Sequence, residues 1–247
     1  LAQSIAEGKV SEAAVNAALK KLGKPIVLLN FSGRPTVMTW ENDNFDAILN
    51  VWFGGCETAD AICDVLFGDK CPSGKLTATM PKSVGQIPLY YTHLNTGRPL
   101  EEGKWFSKFR SNYLDIDNDP LFPFGYGLSY VTFSYGKPRL SSDTLTMGGS
   151  LTLTVDVTNT GDRDADEVVQ LYVRDLVGSL SRPVKELKGF KRINLKKAET
   201  KTVSFTVTPD DLMFYNQQLE YKCEPGDFNI MVGPNSRDVQ TLKFSLK

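Results

Sequence analysis

The sequence predicts a two-part molecule: an α/β segment followed by an all-β sandwich. Three observations carry this. Between residues 25 and 68, short continuous apolar runs alternate with helix-type spacing. After about Ser134 the pattern changes to period-two alternation punctuated by turn residues. Between the two lies a polar, aromatic stretch from Met80 to Pro123 with neither pattern, far longer than an ordinary connection.

The elements follow in order. Ser11 is placed to cap a helix running to Lys21, with Ala14, Val15, Ala18, Leu19 and Leu22 on one face, Gly23 ending it and Pro25 forbidding its continuation. Ile26 to Asn30 and Ala47 to Phe53 read as buried strands of a parallel sheet. Ser32-Gly33-Arg34-Pro35 is a turn. Gly54-Gly55 opens a helix carrying Ala59, Ile62, Cys63, Leu66 and Phe67, closed by Gly68. In the second part, Leu151, Leu153, Val155 and Val157 alternate with polar residues, as do Val203, Phe205 and Val207, and Leu242, Phe244 and Leu246. Asn159 to Asp162, Glu224 to Asp227 and Gly233 to Ser236 supply turns. About seven strands in this pattern predict an immunoglobulin-like sandwich.

Composition narrows the function. Of 247 residues, 41% are hydrophobic and 23% charged, as in folded globular chains. Lys plus Arg is 28 against 29 Asp plus Glu, so no basic excess points to nucleic acid or an anionic membrane. No apolar run approaches the ~18 residues of a membrane-spanning helix, and the first residues lack the signature of a signal peptide. The four cysteines, Cys56, Cys63, Cys71 and Cys223, form no C-x-x-C pair, and His93 is the one histidine, so no metal site and no cofactor are expected. Cys56 and Cys63 are expected as buried thiols on one helix face. His93 is expected to be a surface or packing residue.

Candidate chemistry is sparse. Gly54-Gly55 reads as close packing at a strand-to-helix turn rather than an anion cradle, and Glu57 as an anchor in a first helical turn. Asp115, Asp117 and Asp119 alternate as calcium ligands do, yet lack the glycine and distal glutamate of a calcium loop, so a solvated turn is expected. Asn95, Arg98 and Trp105 are the substrate-adjacent candidates, because sugar rings stack on aromatic faces. The neighbouring aromatics equally suit packing between the two parts. No residue is assigned a catalytic role.

Longer motifs resemble one family. Gly23 to Asn30 with Ser32 to Pro35, the run from Trp52 to Tyr91 containing Asp64-Val65-Leu66-Phe67-Gly68-Asp69 and Pro72-Ser73-Gly74-Lys75-Leu76, and Asn95 to Pro99 resemble family 3 glycoside hydrolases. So do Pro123 to Tyr130, Val157 to Gly161, Glu167 to Asp175, Ser181-Arg182-Pro183, Glu186 to Phe190 and Val232-Gly233. The resemblance implies residues 1–22 as a helical stub like the end of the family's barrel. It implies residues 23–133 as a partial α/β sandwich, the second half of that domain, with a long aromatic loop. Residues 134–247 are then a fibronectin type III-like domain.

It also implies a retaining β-glucosidase that removes terminal β-D-glucosyl residues from oligosaccharides, in the periplasm or secreted. The family's nucleophile is an Asp in a Ser-Asp-Trp type motif of the barrel, and its acid/base is a Glu on a loop upstream of the Ile26 strand. No Ser-Asp-Trp occurs here, and too few residues precede Pro25 to hold that loop. The expectation is therefore a chain inactive alone, with the substrate met through the barrel and an open sheet edge available for homo-oligomer or other association. The alternatives are a non-catalytic carbohydrate-binding or scaffolding module, or part of a β-xylosidase or arabinosidase of the same family.

Overall fold

The computed structural model describes residues 7–8, 11–101 and 104–247. Of the expected stub resembling the barrel's end, residues 1–22, positions 1–6 and 9–10 lie outside the described residues. Helix α1, Glu12–Lys21, starts where Ser11 Oγ accepts the Ala14 N–H at 3.1 Å. Gly23, at φ +59°, turns the chain out of it.

Strands β1 (Val27–Asn30) and β2 (Ala47–Asn50) pair in parallel, Val27 against Ala47 through Asn30 against Asn50. Asn30 Nδ2 donates to Asn50 Oδ1 at 2.7 Å across the strand ends. Three details differ from the expectation. Neither strand is buried: Val27 and Ala47 are exposed and the other strand residues are half-buried. A short helix, α2 (Thr39–Asn44), intervenes; its Thr-Trp-Glu-Asn-Asp-Asn sequence has no apolar period to announce it. The second strand stops at Asn50 rather than running to Phe53, because Trp52 takes a left-handed φ of 55° and sends the chain toward Gly54. Helix α3, Thr58–Leu66, follows. A Cβ on Gly54 would lie 2.1 Å from Thr58 Oγ1, so the glycine is a packing requirement.

The expectation of buried thiols fails. Cys56 and Cys63 are exposed, α3 buries no residue fully, and Phe67 at its end is 82% exposed. Helical spacing shows which residues share a face; here that face has no layer packed over it among the described residues.

The second part is a two-sheet sandwich. One sheet has the order β5 (Thr144–Leu145), β13 (Gln240–Leu246), β12 (Gly226–Gly233), β7 (Ala165–Asp175), β8 (Glu186–Leu195). In the other, β6 (Leu151–Asn159) pairs with β3 (Phe133–Tyr135), β4 (Arg139–Leu140) and β9 (Thr200–Val207). A small hairpin, β10 (Phe214–Tyr215) with β11 (Tyr221–Lys222), stands beside them. β6 alternates buried and half-buried without a break, as its sequence predicts. The core joins Leu153, Val155, Val169, Leu171, Val173, Phe205, Phe228, Ile230 and Phe244 from both sheets, and all its members lie between residues 145 and 246. In the preceding part, the buried apolar side chains among the described residues are Met38, Met80, Pro81, Pro123 and Val131.

Strand β7 departs from alternation. Its core face holds Val169, Leu171 and Val173, yet the outward residues Gln170 and Tyr172 are also buried. The aromatic loop covers them.

Candidate functional site

The aromatic loop is built from its base upward. Pro72 to Pro81 runs beside residues 121–126: Met80 and Phe122 form an antiparallel bridge, Leu76 N–H donates to Tyr126 O at 2.8 Å, and Gly125 N–H donates to Leu76 O at 2.7 Å. Between these ends the chain wraps around Gln86, which is wholly buried. Its Nε2 donates to the carbonyls of Asp117 (3.0 Å) and Asp119 (3.1 Å), and its Oε1 accepts Lys82 N–H at 2.7 Å. Lys82 Nζ grips both Asp117 oxygens, at 2.7 and 2.8 Å. Asp117 thus closes the loop base by an ion pair and Asp119 through its backbone carbonyl, while Asp115 is exposed. Among the described residues no group of three or more His, Cys, Asp or Glu side chains is arranged to hold a metal ion.

The loop docks on the outer face of β7. Tyr91 stacks on Phe124 at 4.2 Å and meets Tyr172 edge-on at 5.9 Å. Gln170 Nε2 donates to Gly125 O at 3.0 Å and Pro234 O at 2.6 Å, and its Oε1 accepts from Tyr172 Oη at 2.5 Å. Gly125 sits at φ +78°, and a Cβ there would fall 2.0 Å from Gln170 Oε1. Lys75 Nζ lies 3.2 Å from Glu167 Oε1 and donates to Gly127 O at 3.0 Å, while Tyr135 Oη donates to Glu167 Oε1 at 3.0 Å. Burial pushes the Glu167 carboxyl above the ordinary carboxylate range, although the Lys75 charge pulls it back. Burial, with Glu167 beside it, raises the Tyr135 hydroxyl far above a normal tyrosine. Burial also raises Tyr91 and Tyr172.

The three predicted substrate-adjacent residues lie along the outer part of this loop. His93 O accepts Val184 N–H at 3.0 Å, and Leu94 bridges Pro183, so the segment leading to Asn95 is tied to the sandwich. Asn95 is exposed and lines a cleft of about 400 Å³ against the β7–β8 connection. Arg98 is exposed, its carbonyl accepting Ser111 N–H at 2.8 Å. Trp105 is 56% exposed, with Phe106 6.1 Å away. Arg98 and Trp105 do not line the cleft that Asn95 lines. A smaller cleft of about 250 Å³ lies between Pro35, Thr79, Tyr90 and Phe124. The larger cleft has one carboxylate, Asp175, in its wall, and the smaller has none.

Sequence reasoning did not single out the residues that fix the joint: Lys75, Gln86, Glu167, Gln170 and Tyr172. Period-two patterning puts Gln170 and Tyr172 on the outer face of their strand. Only knowledge of what covers that face would have marked them as buried.

Residues 5–130 match the glycosyl hydrolase family 3 C-terminal domain, and residues 167–236 match a fibronectin type III-like domain. The chain belongs to glycosyl hydrolase family 3. Relatives within family 3 include a periplasmic β-glucosidase of Salmonella typhimurium, 52% identical over 93% of this chain and 30% of its own length. A β-xylosidase of Formosa agariphila is 44% identical over 93% of this chain and 31% of its own length. The crystal structure of a Listeria innocua β-glucosidase in complex with glucose superposes with a TM-score of 0.87 at 41% identity, covering 94% of this chain and 32% of that one. The chain therefore spans about a third of the length of these family 3 relatives.

Proposed function

We propose that this chain is the supporting part of a retaining β-glucosidase that acts on terminal β-D-glucosyl residues in the periplasm or outside the cell, and that it has no turnover alone. The observation that carries the reading is the 52% identity to the Salmonella typhimurium periplasmic β-glucosidase across nearly the whole chain. Retaining hydrolysis needs two carboxyl groups about 5–5.5 Å apart, one to attack the anomeric carbon and one to protonate the leaving oxygen. The larger cleft offers Asp175 alone, and that carboxylate is committed to Arg182 at 3.5 Å. The chain's contribution in this reading is positional: the sandwich holds the aromatic loop, and the loop presents Asn95, Arg98 and Trp105 toward sugar. The domain limits proposed are residues 1–22, 23–133 and 134–247.

The test is release of nitrophenol from an aryl β-glucoside by the purified chain. No release above buffer is expected. Hydrolysis that disappears on replacing an Asp or Glu of this chain would overturn the reading. The β-xylosidase relative favours a second substrate class, and an aryl β-xyloside assayed beside the aryl β-glucoside, on this chain joined to a family 3 barrel, discriminates the two. Among the described residues the edges of the β1–β2 sheet are unpaired and Val27 is 41% exposed, which suits association with a second copy that sedimentation velocity would reveal as a dimer.

A further inference from the structure

The larger cleft holds a cation that the fold leaves without a counter-ion. Its floor is Arg182. That guanidinium lies 4.1 Å over the Phe214 ring, with Nη2 donating to Glu186 Oε2 at 2.9 Å and Nε 3.5 Å from Asp175 Oδ2. At that distance Nε is buried without a hydrogen-bond acceptor. Asp175 and Glu186 thus answer the charge of Arg182. Arg174, in the cleft wall, is answered by nothing: within the described residues its side chain has no ion pair or hydrogen bond. The side chains of Asn95 and Ser181, on the same walls, are likewise without partners. Ser179, by contrast, is held by Glu224, with Oγ to Oε1 at 2.7 Å and N to Oε2 at 2.9 Å. The walls are therefore braced while three polar side chains stay open.

These groups have a definite complement. A planar guanidinium without a carboxylate recognises a carboxylate through two parallel N–H bonds. A free amide and a free hydroxyl recognise neutral hydroxyl groups. A volume of about 400 Å³ falls within the range of small-molecule sites. We propose that this cleft binds a small polyhydroxylated carboxylate of the sugar-acid class, a uronate or an aldonate, with Arg174 taking the carboxylate and Asn95 and Ser181 the hydroxyls. The proposal is independent of whether the chain hydrolyses anything.

The experiment titrates the full chain with sodium glucuronate and, separately, sodium gluconate, glucose and sodium acetate. Calorimetry gives affinity and backbone amide shifts give location. Glucuronate or gluconate should saturate at millimolar concentration and move the amides of residues 174–182. Glucose, which lacks the carboxylate, and acetate, which lacks the hydroxyls, should each bind at least about tenfold more weakly. Arg174→Gln should weaken the sugar acid about tenfold or more, with Arg139→Gln, an exposed arginine outside the cleft, unchanged. Arg174 projects from the outer sheet face, so an unchanged Tm shows that the variant is folded. The proposal is overturned if neither sugar acid saturates below ~50 mM, if glucose or acetate binds as tightly, if the shifts fall elsewhere, or if folded Arg174→Gln binds normally.

Discussion

Residues 145–246 and residues 11–70 answer the same demand, burial of apolar side chains, in opposite ways. The sandwich has two sheets, and each covers the other's inner face, so Leu151, Leu153, Ile230 and Val232 are completely buried. The β1–β2 sheet has two strands and short helices nearby, and Phe53 and Phe67 stand more than 80% exposed. A third behaviour lies between. Residues 72–132 have few buried apolar side chains, yet Met80 and Gln86 are wholly buried within the segment's own pairing, and the segment is fastened to β7 through Lys75, Tyr91 and Gly125. Burial is thus deepest in the sandwich, partial at the joint on β7, and least toward α3.

Phe228→Ala empties the sandwich core and should cost about 3–5 kcal/mol, whereas Leu66→Ala in α3 should stay within about 0.5 kcal/mol; chemical denaturation of both variants measures the contrast. Lys75→Met removes the cation facing buried Glu167, and should cost about 3 kcal/mol in the same assay. Gln170→Ala strips the hydrogen bonds that hold Gly125 O and Pro234 O. It should cost about 1–3 kcal/mol, and proteolysis should then speed up in residues 80–122 before it touches β6 or β12.

Two smaller effects depend on pH. Glu167 has its native pKa raised, so the native state binds the proton better than the unfolded chain does. That contribution is present at low pH and is lost as pH rises from the ordinary carboxylate range through the raised value. Melting measured across that window should show this loss, and Glu167→Gln should abolish it. Glu224 is the opposite case: hydrogen bonds from Ser179 Oγ and N–H hold it below the usual range, so its stabilisation is present above the unfolded pKa and lost as pH falls. Ser179→Ala should move the Glu224 titration seen by NMR upward, with little change in Tm.

The sandwich was legible in the sequence because its two faces differ chemically, and alternation in Leu151 to Val157 or Val203 to Val207 records that difference directly. The parallel pairing of Ile26 and Ala47 segments was legible as continuous apolar runs. The exposure of Cys56 and Cys63 was not, since a helical stripe records which side chains would face a layer, and carries no information on whether the layer is there. The joint escaped for the converse reason. Gln170 and Tyr172 sit at outward positions of β7, while Glu167 shares the inward face with Val169, and the segment that covers them makes contacts 45 and 92 residues away in sequence. Asn95 drew notice through its aromatic neighbourhood, while its cleft partner Arg174 looks like any solvated arginine on an outward strand position.

The sandwich should fold as the stable unit, with order declining through the joint toward β1, β2 and α3. Hydrogen exchange followed by mass spectrometry on the intact chain tests it most directly. Amides of β6, β7 and β12 should exchange only by global unfolding, those of residues 76–86 and 121–126 sooner, and those of β1, β2 and α3 soonest, by orders of magnitude. Equal protection of β1, β2 and α3 with the sandwich strands would contradict the account.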